Sequence, residues 1–98
     1  MKTPEERIYD GDRAAEILKN EVFQAVFDDI EAELYESWKQ SPARDAEGRE
    51  SIHQYLMMLQ KVKARLMHTL ETGQLAKLEM LHTKTLREKV QDAVGKIW

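Results

Sequence analysis

At 98 residues the chain is long enough for one domain and too short to bury long helices by itself, so packing against a second copy is expected before any motif is read. Hydrophobic residues at 42% and charged residues at 34% suit a folded protein and are too apolar for a disordered one. The absence of Cys excludes a disulfide scaffold, thiolate zinc sites and thiol nucleophiles, and fits a reducing compartment.

The net charge of -3 hides an asymmetry. Residues 1–48 hold 13 acids and 6 bases, a balance of -7; residues 49–98 hold 5 acids and 9 bases, a balance of +4. The plain explanation is an acidic helix packed antiparallel to a basic one around a shared apolar seam. A polyanion partner is the other, and +4 spread over fifty residues is a weak footprint for nucleic acid.

In chain order, residues 1–11 form an N-terminal arm that opens on a helical turn: Thr3 can cap, Pro4 suits the first helical position, and Glu5 and Glu6 suit the positive helix end. The opening MKTPEERIYDGD has no apolar core of a signal peptide, and no apolar run approaches membrane-spanning length. The expectation is therefore an intracellular protein with no membrane partner. Tyr-Asp-Gly at 9–11 should break the first turn, and Asp12 should cap a helix over 12–39. Its stripe, Ile17, Leu18, Phe23, Val26, Phe27, Ile30, Leu34 and Trp38, recurs at spacings of three and four, opposite Asp28, Asp29, Glu33 and Glu36.

Residues 40–48, QSPARDAEG, read as a corner between helices, with Ser41 and Pro42 restarting a helix, Asp45 as a second cap and Gly48 weakening continuity. A second helix over 49–72 presents Ile52, Tyr55, Leu56, Leu59, Val62, Leu66 and Leu70, close to a heptad seam. Helices of about 24 to 28 residues are about 36 to 42 Å long, so an antiparallel hairpin is the natural pairing. Gly73 should then end the second helix. A third helix over 74–97 carries Leu75, Leu78, Leu81, His82, Leu86, Val90, Val94 and Ile97. With Ile97 and Trp98 at its end, it should dock on the hairpin or on a neighbouring subunit. The fold expected is a single all-α domain over 1–98: an antiparallel helical hairpin with a third C-terminal helix, completed by self-association.

Catalysis finds no foothold in the sequence. There is no Gly-rich phosphate loop, zinc spacing or nucleophile elbow, and three dispersed histidines lack a nucleophile to activate. Glu50 and His53 form E-x-x-H, as do Glu79 and His82, the pattern with which four-helix bundles hold two metal ions. Antiparallel helices would set these pairs about 30 Å apart, so one chain cannot join them, although a two-fold dimer could bring like pairs together. The expectation is a non-enzyme without metal or cofactor, with His82 a core or interface histidine on the third stripe.

Two surface clusters are candidates for contact. Tyr35 and Trp38, beside Arg44 and Arg49, make either a corner locked by an aromatic plug and Arg–carboxylate pairs or an exposed aromatic and arginine patch that anchors a partner; Ile97 and Trp98 belong to the same candidate interface. Lys61, Arg65 and His68 follow helical spacing and form a mildly basic face, the weaker candidate, for a polyanion.

The stretch YESWKQSPARDAEGRE, Tyr35 to Glu50, with LETGQLA at 70–76, resembles small helical proteins encoded by tailed bacteriophages and prophages. The resemblance spans about residues 9–76, rests on that one segment, and carries no catalytic or binding residues. It implies action in the host bacterial cytoplasm or in the virion, with a virion structural or assembly role first. An inhibitor or decoy of a host protein comes second, and a nucleic-acid or DNA-packaging accessory third. The partners expected are a second copy of the chain and other phage structural proteins or a host protein.

Overall fold

The computed structural model describes the backbone of residues 2–97 and the side chains of residues 2–95. The described residues form three helices and no strand: α1, Pro4–Lys19; α2, Glu21–Gln40; and α3, Ala46–Ile97. The all-α hairpin expected from the sequence is present, and it is divided differently. The N-terminal arm is α1 itself, which runs through Tyr9, Asp10 and Gly11 without a break. The helix expected over 12–39 is interrupted at Asn20. The helices expected over 49–72 and 74–97 are one helix of 52 residues, continuous through Gly73.

Local chemistry accounts for each boundary. Thr3 accepts the Glu6 amide at 3.1 Å while its hydroxyl donates to the Glu6 carboxylate at 3.1 Å, which satisfies otherwise orphaned groups at the start of α1. Asn20 has extended backbone and serves both helices: its N–H donates to Ile17 O at 3.1 Å and its side-chain oxygen accepts the Phe23 amide at 2.9 Å. Because one residue closes α1 and opens α2, the chain changes direction with no loop. Ser41 ends α2, its hydroxyl donating to Trp38 O at 2.6 Å, and Asp45 starts α3 by accepting the Gly48 amide at 3.0 Å.

Both α1 and α2 run antiparallel along one side of α3. Arg7 lies near Glu79, Gly11 meets Gly73, Phe27 lies beneath Lys63, and Trp38 stacks with Arg49. Gly11 and Gly73 act in packing, and neither has positive φ. A Cβ added to Gly73 would stand 2.9 Å from Arg7 O and 2.9 Å from the Gly11 Cα, so the backbones touch where both side chains are hydrogen. One turn on, Ala14 and Ala76 are buried.

The core is thin. Ala14, Phe27 and Ala76 are the buried apolar residues, with Leu18, Phe23, Leu34, Ile52, Leu56, Leu59, Leu66 and Leu70 half-buried along the hairpin. Beyond residue 80 every described side chain of α3 is exposed, so its second half does not dock back on the hairpin but extends past α1. His82 is exposed with it, a correction to its place in a core. The molecule is 81 Å long, close to the roughly 78 Å that 52 helical residues span. No helix of the described residues is long and apolar enough to cross a membrane.

Candidate functional site

The corner between α2 and α3 gathers part of the aromatic cluster. The Arg49 guanidinium sits 4.3 Å from the Trp38 ring centroid and donates to the Ser41 hydroxyl at 3.2 Å and to Ser41 O at 3.4 Å. Arg49 therefore ties the start of α3 to the end of α2 through a cation–π contact and a serine, worth about 0.5–1 kcal/mol for the stacked pair at a partly exposed site. The carboxylate partners expected at the corner are not used: among the described residues no ion pair involves Arg44, Asp45, Glu47 or Arg49. Tyr35 and Trp38 remain 45% and 43% exposed, and Arg44 is exposed beside them. The side chains of Ile97 and Trp98 lie outside the described residues.

Among the described residues, ion pairs between the two arms of the hairpin are confined to α1. Lys77 reaches Asp12 at 2.7 Å and Arg7 reaches Glu79 at 4.0 Å; both are at the surface and contribute little. On α2, Asp28, Asp29 and Glu33 form no ion pair with α3 among the described residues, so the acidic arm is only partly neutralised by the basic one. Lys2 pairs with Asp10, which raises the lysine pKa, chiefly through the hydrogen bond. Arg13 is raised by Tyr9, over whose ring it lies at 5.1 Å, and then by Glu16.

Lys61 and Arg65 line shallow grooves with Met57, Met58 and Val62 on the side of α3 turned away from α1 and α2; His68 is exposed nearby. The basic face is thus interleaved with exposed apolar residues. Further large apolar residues are exposed elsewhere, which composition alone did not show: Tyr55, Leu75, Leu78 and Leu81 on α3, and Val22, Val26 and Ile30 on α2. The missed signal was Gly73. Taken as a break, it divided one long helix into two short ones, free to cover each other.

The total accessible surface is 8224 Å², whereas a compact monomer of 11.5 kDa exposes about 5,800 Å². The radius of gyration is 22.5 Å, against about 13 Å for a compact domain of this length. The described residues contain no group of three or more metal-ligating side chains. No known family model matches the chain, and no curated protein or solved structure matches it.

Proposed function

We propose that this protein acts by protein–protein contact, as a self-associating structural or assembly component, without chemistry of its own. The excess surface supports the reading: the chain exposes about 2,400 Å² more than a compact monomer would. That is about three times what one partner gives to a standard-size interface, and it includes large aliphatic, Met and aromatic side chains at helical spacing. Tyr55, Met57, Met58, Leu75 and Leu78 are among the exposed side chains, and large apolar residues clustered at a surface mark an interface. The resemblance of residues 35–50 to small phage proteins supports a place among virion components. Sedimentation equilibrium across micromolar concentrations tests the first part, where a monomer throughout would sink self-association. Quantitative mass spectrometry of purified particles tests the second, where a fixed copy number supports a structural component and depletion from mature particles a scaffold-like role.

One observation favours a second reading, an inhibitor or decoy of a host protein. Asp28, Asp29 and Glu33 form an acidic face on α2 with no ion pair to α3 among the described residues, and such a face can compete for a basic groove. Salt-sensitive binding of the chain to a basic host protein, lost in Asp29→Lys/Glu33→Lys, would favour this reading over the first.

A further inference from the structure

We propose that the free end of α3 packs on the outer flank of α2 in a second copy, reciprocally, so that one dimer makes the contact twice. The inference rests on the self-association reading above and names its surfaces. Two exposed apolar stripes carry it. The large aliphatic residues exposed on α2 are Val22, Val26 and Ile30, and those exposed in residues 83–95 of α3 are Leu86, Val90 and Val94. Each set recurs every four residues, so each forms one stripe on its own helix. A single chain cannot bring the two stripes together. Phe27 lies beneath Lys63, which sets α2 beside the first half of α3. Val90 stands 27 residues beyond Lys63, about 40 Å along a straight helix. Stripe meets stripe only between copies.

The charges beside the stripes are complementary. With about 100° between successive helical residues, Glu33 falls about 20° and Asp29 about 60° from Val26, on the edge turned away from Phe27. Both are exposed, and neither forms an ion pair among the described residues. On α3, Arg87 falls about 60° to one side of Val90 and Lys89 about 100° to the other, whereas Glu88 and Asp92 stand at the back, about 160° away. The tail thus carries bases beside its stripe and keeps its acids away from it, while α2 carries acids beside its own. Tail against tail would crowd Arg87 and Lys89 with their own copies, and α2 against α2 would do the same to Asp29 and Glu33. Of the pairings between these stripes, the tail on α2 is the one that joins opposite charges. A two-fold axis exchanges both tails at once and leaves no stripe open.

Reversing the charges on one side at a time tests the exchange in the full chain. Asp29→Lys/Glu33→Lys should dimerise about tenfold more weakly than the wild type, and so should Arg87→Glu/Lys89→Glu, because each sets like charges together. Mixed in equal amounts, the two variants should dimerise about as tightly as the wild type, since every tail then meets an α2 of opposite sign. Sedimentation equilibrium gives each dissociation constant, and circular dichroism of each variant alone checks that it is folded. Loss in only one variant would give its stripe a different partner and overturn the inference, as would loss in both without recovery on mixing. A wild type that grows beyond a dimer would overturn the reciprocal closure. If neither variant changes the wild-type dimer, the interface lies elsewhere and the self-association reading stands without this one; if the wild type is monomeric, both fall.

Discussion

A Cβ built on Gly11 would lie 2.9 Å from the Cα of Gly73 and 3.2 Å from Thr69 O, so α1 and α3 cross backbone to backbone. Alanine at Gly73 gains about 1 kcal/mol of helix propensity and costs about 1–3 kcal/mol of overpacking against backbone that cannot move aside. The expected net effect of Gly73→Ala is a loss of about 1 kcal/mol in urea unfolding. Gly95→Ala is the control, since nothing lies within 4 Å of its added methyl and only the propensity gain remains. A rise in stability for both variants would refute the close crossing.

Asn20 holds the bend between α1 and α2 with one side-chain hydrogen bond to the Phe23 amide at 2.9 Å. Asn20→Ala removes that cap, which typically costs about 1 kcal/mol, and makes a continuous α1–α2 helix more favourable. Asn20→Asp keeps an acceptor in place and should stay within about 0.5 kcal/mol of the wild type. Urea midpoints measure the cost. Circular dichroism should show helix content retained in the alanine variant, since the bend and not the helices is lost.

These two positions also show how far the sequence could be read. Helical content, the corner with its Asp45 cap, and the antiparallel pairing follow from apolar spacing and cap chemistry, which act over a few residues; Ser41, expected with Pro42 to restart a helix, instead closes α2, and α3 starts at Ala46. Gly11 and Gly73 were misread because a glycine in a helix is a weak point locally and a packing asset only when another helix approaches, a fact held 62 positions away. Asn20 was passed over for the converse reason. It ends one helix and caps the next without the loop that usually marks a boundary, and Lys19 before it with Glu21 after it, each suited to its own helix end, was the available signal. The Trp38–Arg49 pair was foreseen as a cluster, but its aromatic–serine chemistry depends on the angle of the corner.

Trp38 carries the corner, so Trp38→Ala should cost about 2 kcal/mol, below the roughly 3–5 kcal/mol of a fully buried site, because the side chain is 43% exposed. Arg49→Lys keeps the charge and loses the planar stack, and should cost about 0.5–1 kcal/mol. If Arg49→Lys proved as costly as Trp38→Ala, the guanidinium fork on Ser41 would be the main tie and the ring only its support.

The apolar residues at the free end of α3 separate folding from assembly. Leu86 and Val90 are exposed in the single chain, so Leu86→Gln and Val90→Gln should change the stability of a dilute monomer by no more than about 0.5 kcal/mol. If these side chains meet α2 of a second copy, the same substitutions remove apolar burial worth about 1 kcal/mol or more each. The dimer dissociation constant should then rise at least fivefold per site. Paired measurements on each variant, unfolding at low concentration and sedimentation at high concentration, give the two numbers independently. Unchanged association would place the contact surface elsewhere on the chain, whereas a matching loss in both would mean that the tail already packs within one copy, contrary to its exposure.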